Sequence, residues 1–170
     1  MRKKSALIMT VMMVVLLTFI TSASAVGYEP VQVSQETVTA YISKLEHKEG
    51  QLFIQSDDIQ WYEGEAANKI FLEREQDIGD LDGPPDGYYI INDNEELTTY
   101  KVSDNVEVLM QIYDRDGTYE GMDINWNEPI SLDKFQTLFS NTEMMDISQF
   151  PYHLTIQDGV IVRIVQQFIP

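Results

Sequence analysis

Four aspartates stand close together in a stretch of the chain that is also rich in glycine and proline. Asp77, Asp80, Asp82 and Asp86 all fall within ten residues. Calcium takes about six to eight oxygen ligands, so closely spaced carboxylates and turn carbonyls could supply several of them. The spacing does not match an EF-hand loop, and Asp, Gly and Pro are also the usual residues of a solvated turn. The stretch therefore predicts a loop, with calcium binding as an alternative role.

The two histidines are the next candidates for chemistry, since the sequence contains no cysteine. His47 lies in a charged stretch that predicts a turn, whereas His153 follows Tyr152 in a predicted strand. A zinc or iron site needs several nitrogen, sulfur or oxygen ligands, and two distant histidines supply too few. No G-x-S-x-G element accompanies His153 as a source of a nucleophile. We interpret His153 as a partly buried structural residue, and we assign no catalytic residue and no cofactor.

Aromatic residues form a third group of candidates, because flat rings can bind a sugar or a peptide. Aromatic side chains in strands more often pack in the core or against cross-strand neighbours. The sequence therefore leaves the ligand-binding residues unassigned. The aromatic candidates are Trp61, Tyr62, Tyr88, Tyr89 and Trp126.

The charge of the chain excludes one large class of partner. The sequence has 28 acidic residues against 11 lysines and arginines, which gives a net charge of −17. Affinity for nucleic acid comes largely from lysine and arginine contacts to phosphates, so we expect no nucleic-acid partner. The acidity favours solubility, and it would also attract cations such as extracellular calcium.

The first 25 residues have the pattern of a secretory signal peptide. The basic stretch Arg2-Lys3-Lys4 precedes an apolar run from Ala6 to Ile20, and small residues then lead to Ala25. This order is typical of a cleaved signal, and the run is shorter than the roughly 20 residues of a spanning helix. Cleavage would remove three basic residues and no acid, which lowers the net charge to −20. No cysteine is present to carry a lipid. We expect a secreted, extracellular product of a Gram-positive bacterium, without a membrane anchor.

The pattern of apolar residues predicts the elements that must position these candidates. Alternation predicts a hairpin that starts at Thr37, with a polar turn over Glu46–Gly50. Helical spacing predicts a helix that begins at Gly64 and ends before Gly79. Further strands are predicted over residues 88–91, 97–102 and 106–113, and Ser131 is expected to cap a second short helix.

The C-terminal segment predicts a second hairpin. Asp158-Gly159 is a two-residue turn signal between two apolar runs. Counting back from the turn pairs Ile156 with Ile161 and Leu154 with Arg163. Both faces of the last strand are substantially apolar, so we expect this strand to be central in a sheet or barrel.

Together these elements predict an α+β, mainly β, fold. Their order is β-β-α-β-β-β-α-β-β, which favours a small antiparallel barrel or half-open sheet with two short helices packed on it. An OB-like Greek-key barrel of five strands is one form that fits. We expect a signal peptide over residues 1–25, a flexible leader over 26–36 and a single globular domain over 37–170.

Three segments resemble a family of small secreted proteins of bacilli and related Gram-positive bacteria. The Trp-Tyr-Glu-Gly-Glu-Ala-Ala run at 61–67 is similar to a strand-to-helix joint of that family, and residues 86–92 resemble its YYI-N strand. The C-terminal hairpin is similar to its closing hairpin, with Gln166 in place of an acid and Phe168 in place of a tyrosine. The resemblance implies export and a common fold, and it carries over no catalytic residue.

The function that these observations favour is that of a secreted, acidic, non-enzymatic binding or interaction module of unknown ligand. A cell-wall polymer and an extracellular protein are the two partners considered. One alternative is a calcium-dependent cell-wall or matrix-associated protein that uses the four aspartates at positions 77, 80, 82 and 86. A second alternative is a small extracellular hydrolase that uses His153 with nearby carboxylates.

Overall fold

The computed structural model describes residues 30–31, 34–94 and 96–169. The predicted signal peptide over residues 1–25 lies outside the described residues, as do residues 26–29 and 32–33 of the predicted leader. The boundaries of signal, leader and domain therefore stay predictions.

Strands dominate the fold, which confirms the predicted α+β, mainly β class. Within the described residues, two α-helices and two short 3-10 helices, at 120–122 and 147–149, interrupt them. The strands and α-helices are β1 (Thr37–Lys48), β2 (Gln51–Glu63), α1 (Gly64–Arg74), β3 (Tyr88–Ile91), β4 (Leu97–Met110), β5 (Glu128–Ile130), α2 (Leu132–Ser140), β6 (Pro151–Gln157) and β7 (Val160–Gln166).

Five of the strands close into a barrel. They are paired in the order β2-β1-β6-β7-β4, and a further pairing of β2 with β4 completes the ring. Counted along the barrel strands alone, the order is that of an OB-like Greek key, as the sequence predicts. Among the described pairings only β4 and β7 run parallel, which is the one departure from the predicted antiparallel barrel. Strand β3 continues the sheet beside β2, and β5 continues it beside β4.

Alternate residues of the barrel strands point inward and form the core, as the period of a strand requires. Ala40, Tyr152 and Leu154 are fully buried there. Helix α2 adds Phe135, whose ring contacts that of Tyr152 edge to face at 5.7 Å. The side chain of Ser131 accepts a hydrogen bond from the first turn of α2, which confirms the predicted cap. The residues between these positions face outward from the barrel.

Strand β4 replaces two predicted strands. The prediction placed strands over 97–102 and 106–113, whereas the structure has one continuous strand over Leu97–Met110. The Asn105 backbone N–H bonds to Ser103 Oγ at 3.2 Å, and the register with β7 shifts across this stretch. The polar residues therefore mark a bulge rather than a turn. Strand β4 pairs with β2 before the bulge, with β5 after it and with β7 on both sides of it.

The register of the C-terminal hairpin also differs from the prediction. Ile156 pairs with Ile161 as predicted, but Leu154 pairs with Ile164 instead of Arg163, because the register shifts by one residue next to Ile156. The shift keeps Leu154 and Ile164 fully buried and leaves Arg163 exposed. Burial of an arginine in the barrel would be costly, which explains why the bulge is favoured.

Both hairpins of the barrel turn within two residues. The first turn consists of Glu49 and Gly50, with φ values of 52° and 80°. Strand β1 therefore runs to Lys48, into the stretch Glu46–Gly50 that was predicted as the turn. The second consists of Asp158 and Gly159, with φ values of 50° and 78°. Positive φ at both positions is typical of a type I′ turn. Neither turn is long enough to form a loop wall.

The contact of α2 with the barrel gives a stability prediction. We expect Phe135→Ala to lower the free energy of unfolding by roughly 3–5 kcal/mol, because a fully buried ring is removed and a cavity remains. Urea denaturation of the purified protein measures it. Leu72→Ala, at a residue of α1 that is 48% exposed, is the matched control and should change stability by less than about 0.5 kcal/mol. Equal losses in both variants would contradict this view of the core.

Candidate functional site

The four aspartates of the calcium hypothesis lie in the loop that joins α1 to β3. All four side chains are exposed. The loop is held to α1 at Gly83, where an added Cβ would lie only 2.0 Å from Asn68 Oδ1. Among the residues that the structure describes, no three His, Asp or Glu side chains form a group that could hold a metal ion. The four aspartates therefore share a loop without forming such a group, and calcium binding stays a prediction.

A chain of hydrogen bonds crosses the outer face of β1, β6 and β2. Thr39 Oγ1 lies 3.1 Å from His153 Nδ1, and His153 Nε2 lies 2.8 Å from Gln167 Oε1. Gln167 Nε2 then donates to Glu63 Oε1 at 3.0 Å. Trp61 Nε1 donates to the same oxygen at 2.7 Å. Five side chains from four segments are thus linked, although they are far apart in sequence. We call them the polar chain.

The polar chain fixes the tautomer of His153. Gln167 Nε2 donates to Glu63 and to the Phe168 carbonyl, so its amide oxygen must be the atom that faces His153. The hydrogen-bond network therefore assigns the proton of the ring to Nε2, and Nδ1 accepts from the Thr39 hydroxyl. Both ring nitrogens are occupied, so His153 has no lone pair free for a general base in this arrangement.

Burial sets the charge state of His153. The residue is 3% exposed, and desolvation lowers the pKa of its imidazole, while Gln167 and Glu63 act in the opposite direction. A neutral imidazole fits the tautomer that the hydrogen bonds require. His153 is therefore a buried structural residue, and its role is to hold Gln167 in position.

The polar chain ends in a groove with aromatic walls, which we call the aromatic groove. The rings of Trp61 and Tyr88 are stacked, with centroids 4.7 Å apart and planes inclined by 13°. The cavity of the groove measures about 210 Å³. Its described lining residues, none of which is a lysine or arginine, are Trp61, Glu63, Asp86, Gly87, Tyr88, Gln167 and Phe168.

A smaller cavity adjoins the aromatic groove at Glu63. It measures about 160 Å³ and shares three residues with the aromatic groove, namely Trp61, Glu63 and Gln167. His153 and the leader residues Pro30 and Val31 complete its lining. The polar chain therefore separates two adjoining cavities on one face of the molecule.

Strand pairing explains why these side chains meet. Residues 61 and 63 of β2 point to the same face, since side chains alternate along a strand. Tyr88 pairs with Glu63 and Ile90 with Trp61 in the ladder of β2 and β3, which places Tyr88 diagonally across from Trp61. The Gly64 N–H bonds to the Gly87 carbonyl at 3.1 Å, which fixes the start of β3 against the end of β2.

The loop between β4 and β5 supports the far wall of the groove. Trp126 in this loop contacts Phe168 edge to face, with centroids 5.2 Å apart. Arg115 holds the loop closed through bonds to Glu128 Oε2 at 2.9 Å and to the Asp123 carbonyl at 2.7 Å. Desolvation and the Glu128 carboxylate raise the pKa of the nearby Tyr113 hydroxyl to about 12. The wall therefore depends on an ordered loop rather than on a free C-terminal segment.

The structure divides the five aromatic candidates between two faces. Trp61 and Tyr88 line the groove, and Trp126 supports it through Phe168. Tyr62 and Tyr89 pair with each other on the opposite face of β2 and β3. Tyr89 packs there against the helix residue Phe71 and donates a hydrogen bond to Glu75.

Sequence reasoning missed the polar residues of the groove. Glu63 and Gln167, and Thr39 of the polar chain, belong to no chemical motif. Glu63, Gln167 and Phe168 entered only as members of the segments that carry the family resemblance. One signal was present: Glu63 stands two residues after Trp61 on a predicted strand, so both side chains share a face. The second histidine, His47, lies away from the groove and its Nε2 is 2.7 Å from Gln136 Oε1.

Comparison with known proteins identifies no relative of this chain. No protein-family model matches the chain, and searches of curated proteins and of solved structures found no match. Within the described ranges no helix is both long enough and apolar enough to cross a membrane. What the groove does must therefore be inferred from its own residues.

The buried histidine gives a prediction on pH. The unfolded chain takes up a proton on His153 near pH 6.5, its ordinary pKa, whereas the folded protein resists it because that pKa is lowered. Stability should therefore fall as the pH drops below about 6.5. His153→Gln removes this titration, so the free energy of unfolding should depend less steeply on pH between about 5 and 7. Parallel pH profiles for the two proteins would contradict the assignment.

The calcium hypothesis makes a separate prediction. If the loop binds calcium in the native state only, millimolar calcium must raise the midpoint of thermal unfolding above that in chelator. The double variant Asp80→Asn/Asp82→Asn should then lose the rise, whereas Asp133→Asn, in α2, should keep it. An unchanged midpoint of the wild type would exclude the hypothesis.

Proposed function

We propose that the chain is a secreted, acidic binding module that takes its ligand in the aromatic groove. The observation that carries this proposal is the stacked pair of Trp61 and Tyr88 beside the Glu63 carboxylate. Aromatic walls with a few fixed polar groups are typical of ligand sites. The signal-peptide pattern of residues 1–25 supports secretion, with cell-wall polymers and extracellular proteins as the partners.

The groove is rigid enough to hold a ligand without reordering. The stack of Trp61 on Tyr88 is worth about 0.5–1.5 kcal/mol beyond the burial of the rings. Gln167 orients Glu63, and His153 in turn orients Gln167. A site whose polar groups are already fixed loses less entropy when it binds. Each residue of the polar chain thus has a positioning role in the proposed site.

The usual binding surface of an OB-like barrel does not serve here. In OB folds the loops between the first two and the last two barrel strands frame the ligand. In this chain those loops are the two-residue turns Glu49-Gly50 and Asp158-Gly159. The aromatic groove lies elsewhere, at the point where β2 leaves the barrel and pairs with β3. Function follows the site and not the fold.

The acidity of the protein limits the chemical classes of partner that it can bind. The groove contains Glu63 and Asp86, and no basic residue stands among its described lining. Phosphate-rich polymers and nucleic acids would be repelled. Neutral polymers and cationic or zwitterionic groups are the chemistries that remain.

Retention assays test the proposed function. Purified protein would be incubated with bacterial cell walls, polysaccharides and immobilised culture-medium proteins, and the bound fraction measured. We expect Trp61→Ala to weaken retention roughly tenfold or more, because truncation of an aromatic anchor removes a large part of the binding energy. Tyr62→Ala is the matched control, since Tyr62 neighbours Trp61 but faces the other side of β2, and it should bind like the wild type.

Two outcomes would count against the proposal. Failure of the wild type to be retained on any of these materials would remove the evidence for a binding module. Retention that is equally strong in wild type and Trp61→Ala would place the binding surface outside the aromatic groove. Circular dichroism of Trp61→Ala and Trp61→Phe separates a loss of folding from a loss of binding.

A further inference from the structure

We propose that the group bound in the aromatic groove is a cation on an apolar stem, such as the ammonium of a lysine side chain or of a small alkylamine. The inference rests on the proposed function and names the chemistry of its ligand. It depends on three features of the groove: an unshared carboxylate oxygen, the faces of aromatic rings, and a local charge of one sign.

The carboxylate of Glu63 is held with one oxygen engaged and the other open. Oε1 accepts both hydrogen bonds, from Trp61 Nε1 and from Gln167 Nε2. In the part of the chain that the structure describes, Oε2 has neither a hydrogen bond nor an ion pair. Glu63 is half-buried, so part of its side chain is removed from water. A ligand that donates a hydrogen bond to Oε2 would give both oxygens of the Glu63 carboxylate a partner.

The aromatic walls favour a cationic donor. Trp61, Tyr88 and Phe168 line the same cavity as Glu63, and the face of an aromatic ring carries partial negative charge. An ammonium within about 6 Å of a ring centroid is attracted to that face, most strongly for tryptophan. Because Tyr88 pairs directly with Glu63 across the strands, a cation at Oε2 lies next to these rings. The rings also cover the apolar stem that carries the charge.

The two charged residues that line the groove, Glu63 and Asp86, are both acidic. Asp57 lies on the same face of β2 as Glu63, four residues before Trp61, and pairs with Tyr41 of β1. Asp57 Oδ1 is buried and has no hydrogen-bond partner among the described residues. Asp57 and Tyr88 both raise the pKa of the Tyr41 hydroxyl, after desolvation, so Tyr41 lies near each of them. The face therefore attracts positive charge over more than one residue.

A neutral sugar fits these features less well than a cation. A sugar that covers Glu63 would remove a charged group from water without supplying the opposite charge, and burial of an unpaired charge is costly. A cation offsets the cost of desolvating Glu63, because it forms an ion pair with the carboxylate. The volume of about 210 Å³ suits a single side chain or a small amine rather than a long polymer segment.

Calorimetric titration of the purified protein at low salt tests the inference with four probes. They are Nα-acetyl-lysine methylamide, its neutral Nε-acetylated counterpart, methylammonium, and the disaccharide of N-acetylglucosamine. We expect the lysine probe to bind at least about tenfold more tightly than its acetylated counterpart, because the ion pair and the cation–π contact are both lost on acetylation. If the lysine probe also binds more tightly than methylammonium, the source of the cation is a side chain with its stem. The reverse order assigns a small amine.

Two isosteric variants locate the effect. Glu63→Gln keeps an oxygen that can accept hydrogen bonds from Trp61 and Gln167 but removes the charge. It should lower the affinity for the lysine probe by about the same factor of ten. Glu65→Gln removes one charge from the exposed start of α1 and should bind like the wild type. Thermal unfolding of both variants verifies that they are folded.

The remaining outcomes separate this inference from the proposed function. Binding of the disaccharide without binding of either cation would overturn the cationic ligand and leave the binding module intact. Binding of no probe would also overturn the cationic ligand. The proposed function falls as well only if retention on walls, polysaccharides and proteins proves insensitive to Trp61→Ala.

Discussion

The length of strand β2 is the constraint on which the rest of the molecule depends. Its first half pairs with β1 and β4 and closes the barrel. Its last four residues pair with β3 outside the barrel. One strand thus belongs to two surfaces, and its end beyond the β4 pairing carries the groove residues Trp61 and Glu63. A shorter β2 would still close the barrel, but Trp61, Glu63 and Tyr88 would not be positioned together.

The polar chain connects the groove to the body of the protein. His153 is almost fully buried although it lies on the outer face of β6, and both its nitrogens have partners. An unmatched buried donor or acceptor costs about 1–3 kcal/mol, so each partner constrains the next. The consequence is a carboxylate whose orientation is set by residues on β1 and β6 as well as on β2. This is how a barrel with short hairpin turns acquires a rigid site.

The sequence predicts the fold better than it predicts the site. Alternation along 37–63 and the Asp158-Gly159 turn predict the two barrel hairpins, and Ser131 predicts α2. The strand registers were harder to predict from the sequence, because the bulges near Asn105 and Ile156 depend on which residues the barrel can bury. The calcium candidates came from composition, whereas the groove comes from pairing between β2 and β3 and from Gln167 near the C-terminus. A glutamine or a threonine carries no motif, so its role appears only when its partners are known.

The most direct test of the account is a ¹H–¹⁵N NMR titration of the whole protein with Nα-acetyl-lysine methylamide. The chain has two tryptophans, so the spectrum has two indole N–H resonances, and Trp61→Phe assigns them. We expect the Trp61 indole resonance, whose proton is donated to Glu63, to shift saturably together with the backbone amides of Glu63, Tyr88 and Phe168. Shifts confined to another surface, with the Trp61 resonance unmoved at saturation, would contradict this expectation.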